Sequence, residues 1–421
     1  MSPTTHIIGA GLAGLSAALK LSRAGEDVVV YEATAFAGGR CRSYHDAAVG
    51  MTIDNGNHLL LSGNRAALDF LREVGAADRL IGPREAEFQF VDLAGGERWT
   101  LRPNSGRVPW WIFDASRRVP GTRALDYLSL MRLLRPPPGK AVDEVIACKG
   151  PLYWRLVEPL LLAALNIDPP RGSAKLASAV IRETLALGGA ACRPLVARDG
   201  LSATLIEPAL AMLQKRGARV LFEHQLRTIR FGTKRIDALD FGGETVALAE
   251  EDAVVLAVPP YTAASLIRGL KAPDEFRAIV NAHFKVDPPA GQPPIQGVIN
   301  GTVEWIFAFP GRLSVTISAG DRLVDQPREE LAKTIWAEVS SVTGLPMALS
   351  TGLPPWQIVR ERRATFAATV AQDAKRPDAA TAWRNLVLAG DWTNTGLPAT
   401  IEGAIRSGNR AAELIAQRQA P

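Results

Sequence analysis

The sequence predicts an α/β protein in which a Rossmann-like domain is interleaved with a second, α+β domain. Three observations lead to this prediction. Residues 5–32 show the pattern strand, glycine-rich turn, helix and strand, which is the smallest dinucleotide-binding unit. Buried strand patterns return far along the chain, at 253–258 and 386–390. Elsewhere apolar residues alternate along the chain, most clearly over 295–318, as expected for antiparallel strands.

Each element follows from a local pattern. The first strand is the apolar run 5–9, and the first helix covers 12–23, where apolar residues recur at helical spacing until Gly25. Residues 86–103 alternate on either side of Ala94-Gly95-Gly96 and predict a hairpin. The same reasoning predicts helices over 120–135, 152–165, 173–189, 201–216 and 400–417, and strands over 27–32, 218–222, 225–231, 235–241, 244–248, 253–258 and 386–390.

These two kinds of structure alternate along the chain, so each predicted domain is discontinuous. The 421 residues are enough for two or three domains. We predict a nucleotide-binding domain made of 1–84, 201–261 and 366–421. The insertions 85–200 and 262–365 form the second domain, which is expected to bind the substrate.

Composition argues against several classes of protein. Charged residues make up 22% and hydrophobic residues 47% of the chain, which is ordinary globular usage and argues against disorder, collagen and coiled coils. The net charge of +5 is too small to indicate nucleic-acid binding by itself. Three cysteines argue against a disulfide framework and favour the reducing cytoplasm. No stretch reaches 18 uncharged apolar residues, and the apolar start lacks the features of a signal peptide.

The glycine turn near the start of the chain is the first candidate binding site. Gly9-x-Gly11-x-x-Gly14 follows a strand and opens a helix. Gly9 permits the tight turn, Gly11 lets the main chain approach a pyrophosphate, and Gly14 lets the helix pack closely on the strand. The helix N-terminus offers N–H groups to the anion. Glu32, at the end of the second strand, can accept hydrogen bonds from ribose hydroxyls. The alternative is a glycine-rich helix start with no ligand.

Two further segments would meet the same ligand. Gly38-Gly39-Arg40 follows Glu32, and Arg40 can neutralise a phosphate, although a surface turn with solvated arginines is the alternative. Near the C-terminus a strand ends at Gly390-Asp391, and Thr400-Ile401 begins a helix. Asp391 can bind a polyol hydroxyl, and the helix start offers a second set of N–H groups to a polar ligand. Thr400 can also serve as the cap of this helix.

The segment Ile53-Asp54-Asn55-Gly56-Asn57-His58 ends a short predicted strand and carries two candidate catalytic residues. Asp54 and His58 are both able to transfer protons. By residue type alone, Asp54 is more often a turn-forming side chain and His58 a packing histidine.

Taken together, these segments resemble the flavin amine oxidase and phytoene desaturase superfamily, at both ends of the chain and in the middle strand with its Ala257-Val258-Pro259-Pro260 segment. The resemblance implies FAD as the cofactor, no metal, and the amine oxidase-like two-domain fold. It assigns FAD contacts to Gly9, Gly11, Gly14, Glu32, Gly39, Arg40, Leu226, Gly390, Asp391, Thr400 and Ile401.

Within this superfamily the chain is similar to the squalene-associated branch. Amine oxidases usually have an aromatic residue three positions before the threonine that corresponds to Thr400, where this chain has Leu397. An aliphatic wall suits a hydrocarbon better than an amine. The segments 54–58, 159–166, 198–202 and 280–284 also match that branch. The resemblance implies reductive dehydroxylation of hydroxysqualene to squalene, with FADH2 as the reductant and an unidentified donor of electrons to the FAD.

This reaction has three requirements. An acid must protonate the departing hydroxyl group, flavin N5 must lie near the allylic carbon, and water must be excluded. His58 and His283 are candidate acids because the unperturbed pKa of histidine is near 6.5; Asp54 or an ordered water are alternatives. Leu160 and Leu161 would line an apolar tunnel, with Leu397 as a further wall, although leucines at such positions are often plain core.

Other functions stay open at this point. An FAD-dependent desaturase or amine oxidase of the same superfamily would oxidise its substrate. The same fold includes non-catalytic prenyl-binding escort proteins, against which the complete set of FAD motifs argues.

Residues 98–140 form a basic and aromatic segment. They include nine basic and two acidic residues, together with five aromatic ones. Basic and aromatic side chains suit an anionic membrane surface, where an isoprenoid substrate dissolves. The alternative is a solvated basic face above core aromatics. We expect a cytoplasmic protein with peripheral contact to the inner face of the cell membrane, and no nucleic-acid partner.

Overall fold

Two large sheets organise the chain in the computed structural model, which describes residues 3–347 and 352–419. In chain order the strands are β1 (Thr4–Ile8), β2 (Asp27–Tyr31), β3 (Ser43–Asp46), β4 (Met51–Asp54), β5 (Leu60–Leu61), β6 (Leu80–Ile81), β7 (Phe88–Asp92), β8 (Arg98–Leu101), β9 (Pro194–Ala197), β10 (Arg219–Leu221), β11 (Thr228–Phe231), β12 (Ile236–Asp240), β13 (Thr245–Ala247), β14 (Ala253–Leu256), β15 (Phe276–Phe284), β16 (Ile295–Ile299), β17 (Trp305–Phe309), β18 (Arg312–Ile317), β19 (Trp356–Phe366) and β20 (Leu386–Leu388). The α-helices are α1 (Leu12–Arg23), α2 (Arg65–Glu73), α3 (Leu128–Leu134), α4 (Glu158–Leu165), α5 (Ala174–Glu183), α6 (Gly189–Cys192), α7 (Glu207–Lys215), α8 (Pro260–Leu266), α9 (Arg328–Thr343), α10 (Val370–Asp373) and α11 (Ile401–Gln419). None of the helices in the described part of the chain is long and apolar enough to span a bilayer.

The first sheet is parallel, with the strand order β10-β2-β1-β14-β20. Its central strands are apolar runs such as Val28–Tyr31, and they are buried because helices cover the sheet. The strands come from four distant segments of the chain. Since parallel strands end at the same edge, the segments that follow β1, β2, β14 and β20 meet there.

The second sheet has seven strands in the order β19-β15-β18-β17-β16-β7-β8. Its pairs are antiparallel except for β16 and β7, which run parallel. One face packs on α9, so that Val280 and Trp336 share a hydrophobic core. The opposite face, called the inner face below, carries Phe90 and Trp305, which share a second core with Leu161 of the inserted helices.

Most predicted elements appear in the structure, with differences that have local causes. The hairpin at Ala94-Gly95-Gly96 is confirmed by the pairing of β7 with β8. The helices predicted over 152–165 and 201–216 each begin with a π-helical turn before α4 and α7. Pro159 and Pro208 follow these turns, and a proline has no N–H to donate to the preceding turn of an α-helix. β19 and α9 have no counterpart in the prediction.

The predicted domain division stays a prediction. The strands of the parallel sheet lie within 1–84, 201–261 and 366–421. Those of the seven-stranded sheet lie within 85–200 and 262–365, apart from the last residue of β19. One small sheet crosses this division, because β9 pairs with both β5 and β6.

Candidate active site

The glycine turn lies between the end of β1 and the start of α1. Gly9 has a φ of +109°, and a Cβ there would lie 2.6 Å from the carbonyl oxygen of Ala257. A Cβ at Gly14 would collide with the carbonyl oxygen of Gly9. Packing within the protein therefore requires both glycines. At Gly11, by contrast, no atom lies within 4 Å of the Cβ position, so the space in front of the helix N-terminus is open.

Glu32 holds this turn in place. The main-chain N–H of Ala10 donates to its Oε2 at 2.9 Å, and the N–H and hydroxyl of Thr34 donate to its Oε1. The carboxylate therefore faces the glycine turn from the end of β2. Leu226, on the loop after β10, is buried. The predicted contacts of Glu32 with ribose and of the Leu226 main chain with adenine stay predictions.

The second glycine segment packs directly against the first. Gly11 and Gly38 form an isolated parallel bridge, and the N–H of Gly38 donates to the carbonyl oxygen of Ala10 at 2.8 Å. A Cβ at Gly39 would lie 3.7 Å from the Cα of Gly11. The main chain of this segment thus borders the open space at Gly11.

Arg40 and Asp391 are brought together from opposite ends of the chain. Arg40 Nη2 donates to both carboxylate oxygens of Asp391, at 2.8 and 2.7 Å, and Nη1 donates to the carbonyl oxygen of Ala364. The charge of Asp391 raises the pKa of Arg40. We predicted Arg40 beside a phosphate and Asp391 beside a hydroxyl, and the structure adds an ion pair between them. Their contacts with FAD stay predictions.

A second helix N-terminus lies near Asp391. Gly390 has a φ of +145°, and a Cβ there would collide with the indole ring of Trp392. The Oγ1 of Thr400 accepts a hydrogen bond from the N–H of Gly403 at 3.0 Å, so Thr400 caps α11. Ile401, the first residue of α11, is buried. The capping role proposed as the alternative for Thr400 is therefore confirmed, and the predicted contact with the cofactor is compatible with it.

Asp54 joins three parts of the molecule. Its Oδ1 accepts from the hydroxyl of Ser43 at 2.6 Å and from the N–H of Leu201 at 2.9 Å. Its Oδ2 accepts from Nη2 of Arg312 at 3.4 Å, and both members of this ion pair are buried. Every hydrogen bond that the structure gives Asp54 is one that it accepts. This geometry favours a carboxylate that links segments over a proton donor.

The two candidate histidines differ in exposure, since His283 is fully buried and His58 is half-buried. Burial lowers the pKa of His58 to about 4. Burial and then the charge of Arg312 lower the pKa of His283 to about 3. Nδ1 of His283 is 2.8 Å from the hydroxyl of Ser314, and its Nε2 has no partner among the described residues. The unperturbed pKa expected from the sequence does not hold, because protein displaces all of the water around the His283 ring and part of it around the His58 ring. At neutral pH each imidazole is uncharged and is a weak acid.

A polar network that the sequence did not predict lies on the inner face of the seven-stranded sheet. Thr316 donates from its hydroxyl to Oδ1 of Asn281 at 2.7 Å and accepts from Nδ2 of Asn57 at 3.1 Å. Nδ2 of Asn57 also lies 3.3 Å from the carbonyl oxygen of Val315. These bonds fix the amide of Asn57, whose Oδ1 is buried and has no donor among the described residues. The sequence does contain a signal for this network, because polar residues occupy alternate positions of two otherwise apolar strands, β15 and β18.

The predicted substrate leucines are in different surroundings. Leu161 is fully buried in the core that includes Phe90, which supports the plain-core alternative for this residue. Leu160 is half-buried, and Leu397 is buried near the cap of α11. Contact of these residues with a substrate stays a prediction.

The site fits FAD. Open space at Gly11 faces the N-terminus of α1, and the glycine main chain of residues 38–39 borders it. A pyrophosphate needs both of these features: a close approach to the main chain and unpaired N–H groups. The N-terminus of α11 and the carboxylate of Asp391 are available to a polar group farther along the same ligand.

Comparison with known proteins supports a flavin as the cofactor. The sequence profile of the family "Flavin containing amine oxidoreductase" matches residues 12–416. A hydroxysqualene dehydroxylase from Rhodopseudomonas palustris is 62% identical over 416 residues, which cover 99% of each chain. The protein of that name from Zymomonas mobilis is 48% identical and covers 97% of this chain and 98% of its own.

Solved structures and more distant relatives agree with the predicted fold class. Cyclohexylamine oxidase from Brevibacterium oxydans has a TM-score of 0.69 at 16% identity and covers 99% of both chains. A zeta-carotene desaturase from Synechocystis is 24% identical and covers 98% of this chain and 97% of its own. The predicted α/β fold, with a Rossmann-like domain and an interleaved α+β domain of the amine oxidase type, is confirmed.

Proposed function

Because the chain belongs to the family of flavin-containing amine oxidoreductases and is an FAD-dependent oxidoreductase, we propose that it converts hydroxysqualene to squalene by reductive dehydroxylation. The observation that carries this proposal is the 62% identity, over 99% of both chains, to a protein named for that reaction. The likeness to carotene desaturases is weaker, at 24%. Desaturation and amine oxidation are therefore not favoured, and the FAD site argues against an escort protein.

The reaction breaks one C–O bond and forms one C–H bond. When FAD is bound in its reduced form, its N5 supplies the hydride. The chain must hold the allylic carbon nearby, protonate the departing hydroxyl group so that it leaves as water, and keep other water out. An outside donor must return two electrons to the FAD for each turnover.

Two features of the inner face support binding of a hydroxylated hydrocarbon. Phe90, Trp305 and Phe307 give this face an apolar surface. Asn57 Oδ1 is a buried acceptor without a donor among the described residues, and a substrate hydroxyl group brought beside it would supply that donor. One oriented polar contact within an apolar site is the usual arrangement for a small-molecule ligand.

Anaerobic incubation of reduced, FAD-loaded protein with hydroxysqualene tests the proposal. We expect one squalene and one oxidised FAD per turnover, and deuterium from deuteride-reduced flavin on the carbon that lost oxygen. Oxidation of the substrate, or failure to form squalene, would refute it. A purified protein without FAD would instead support the escort alternative.

We also propose that residues 98–140 contact the inner face of the cell membrane. Several large apolar side chains there are exposed, among them Trp110 at 67%, Phe113 at 65% and Met131 at 62%. Arg117 and Arg118 lie in the same segment, which carries the excess of basic residues. Exposed apolar side chains beside cations match the interfacial region of an anionic bilayer. Such contact would give the enzyme access to a water-insoluble isoprenoid.

A further inference from the structure

The main chain of residues 55–57 fixes the orientation of the Asn281 amide on the inner face. The N–H of Asn57 lies 3.4 Å from Oδ1 of Asn281, and Nδ2 of Asn281 lies 3.5 Å from the carbonyl oxygen of Asn55. An N–H group can only donate a hydrogen bond, and a carbonyl oxygen can only accept one. These two main-chain groups therefore determine which end of the Asn281 amide is the oxygen.

The orientation of Asn281 in turn determines that of Asn57. Because Oδ1 of Asn281 is an acceptor, the hydroxyl of Thr316 donates to it, at 2.7 Å. The oxygen of Thr316 then accepts from Nδ2 of Asn57 at 3.1 Å, and the same Nδ2 donates to the carbonyl oxygen of Val315. Oδ1 of Asn57 consequently lies on the side of its amide away from Thr316. This oxygen is buried and has no donor among the described residues, so a bound molecule must supply one.

Asn57 connects the cofactor segment to the apolar part of the inner face. Nδ2 of Asn55 lies 3.5 Å from the carbonyl oxygen of Arg40, and the Cα of Asn57 follows at a separation of at most roughly 7 Å. On the other side, Thr316 is opposite Trp305 in the register of β18 and β17, and Trp305 belongs to the apolar core of this face. The unpartnered oxygen thus belongs to a residue whose neighbours are the predicted FAD contacts and an apolar surface.

We propose that Asn57 Oδ1 accepts a hydrogen bond from the hydroxyl group of the substrate and thereby distinguishes the alcohol from the hydrocarbon product. This inference rests on the proposed function and deepens it. A single acceptor beside an apolar surface selects a ligand that brings one O–H donor into an apolar site. Asn281 and Thr316 are positioning residues, since they hold the amide of Asn57. After the hydroxyl group has left as water, squalene offers no donor, so the product is bound less tightly than the substrate.

Binding to the oxidised holoenzyme, which cannot reduce the substrate, tests this role. The Kd values of hydroxysqualene, squalene and the methyl ether of hydroxysqualene are measured from changes in flavin absorbance, with all three ligands in the same detergent micelles. In wild type we expect the alcohol to bind about tenfold more tightly than squalene. The methyl ether has an oxygen but no O–H donor, and it should show no such advantage.

Two variants remove the acceptor. Asn57→Leu replaces the amide with an apolar group of similar size, and Asn57→Ala shortens the side chain, so one variant remains informative if the other does not fold. In both, the preference for the alcohol over squalene should fall from about tenfold to less than about threefold, while FAD content stays the same. Gln326→Leu makes the same change at an exposed amide after β18 and is the matched control, which should keep the wild-type preference.

The results separate the hydroxyl site from the reaction. A wild-type enzyme that binds squalene or the methyl ether as tightly as the alcohol overturns the inference, whatever the variants do. An unchanged preference in both Asn57 variants also overturns it: with an unchanged flavin spectrum, the donor to Oδ1 is water, and with an altered one it is a flavin N–H group. Because these measurements need no turnover, a wild-type enzyme that prefers the alcohol but forms no squalene overturns the proposed reaction and supports the hydroxyl site.

Discussion

Substitution of Gly11 separates the stability of the fold from the binding of FAD. No atom lies within 4 Å of a Cβ placed at this position, and its φ of −74° is accessible to any residue. We therefore expect Gly11→Ala and Gly11→Val to change the free energy of unfolding of the apoprotein by no more than about 1 kcal/mol. Gly14→Ala is the matched control. Its Cβ would collide with the carbonyl oxygen of Gly9, so it should destabilise the apoprotein itself.

The loss of FAD affinity can be estimated from the same geometry. If the pyrophosphate lies against Gly11, a side chain there occupies space that the ligand needs. Forcing extra carbon atoms into a close-packed contact costs about 1–3 kcal/mol. Since about 1.4 kcal/mol corresponds to tenfold in Kd, Gly11→Ala should weaken FAD binding about 5- to 150-fold. Gly11→Val, with two more methyl groups, should abolish it.

Two titrations check this prediction. Quenching of flavin fluorescence by apoprotein gives the Kd of FAD, and urea unfolding followed by tryptophan fluorescence gives the stability of the apoprotein. Wild-type FAD affinity in Gly11→Val would show that the pyrophosphate does not pass this point. A large loss of apoprotein stability in the same variant would show that the space at Gly11 is not open.

Three other perturbations have defined outcomes. Asp54→Asn leaves the buried guanidinium of Arg312 without its carboxylate, so the free energy of unfolding measured in urea should decrease by about 3 kcal/mol. Unchanged stability together with a loss of turnover would instead support an acid role for Asp54. His283 has a folded pKa of about 3, below its unfolded value, so its contribution to stability is complete above about pH 6.5. That contribution decreases as pH falls, by up to about 1.4 kcal/mol per pH unit. In His283→Gln the free energy of unfolding should therefore decrease less steeply between about pH 6.5 and lower pH than in wild type. An equally steep decrease in the variant would contradict the low pKa of His283. The double variant Arg117→Glu and Arg118→Glu should bind anionic vesicles more weakly, by about 1 kcal/mol of binding free energy per residue, as measured by co-sedimentation. The control Lys271→Glu, outside the segment, should not change binding. Equal effects of the two variants would argue against a membrane surface at 98–140.

The cofactor motifs could be predicted from sequence because their causes are local. The turn at Gly9 and the close packing at Gly14 depend on residues within one β–α–β unit. Alternation of apolar residues likewise predicts β16 to β18, whose side chains face two different cores. β19 was not predicted, because it lies at the edge of its sheet and charged residues such as Arg360 and Arg362 interrupt its apolar pattern.

The chemistry of the candidate site could not be predicted in the same way, because it depends on long-range contacts. The ion pair of Arg40 with Asp391 joins residues 351 positions apart. The lowered pKa of His283 results first from burial and then from the charge of Arg312, at the start of the neighbouring strand β18. Residue type indicates which groups can transfer a proton, but only the assembled sheet determines which of them holds one.

The strand order β10-β2-β1-β14-β20 also has a consequence for how this protein is made. A ribosome releases β1, α1 and β2 first, yet their neighbour β14 emerges only after Ala253, and β20 after Leu386. The last helix, α11, packs so closely on α1 that a Cβ at Gly408 would collide with the carbonyl oxygen of Ala13. The glycine turn therefore lacks its final neighbours β14, β20 and α11 during most of translation. Contacts of such long sequence separation form slowly and leave apolar surface exposed meanwhile. We accordingly expect FAD to be captured after chain release, and truncations that remove α11 to yield aggregated, colourless protein.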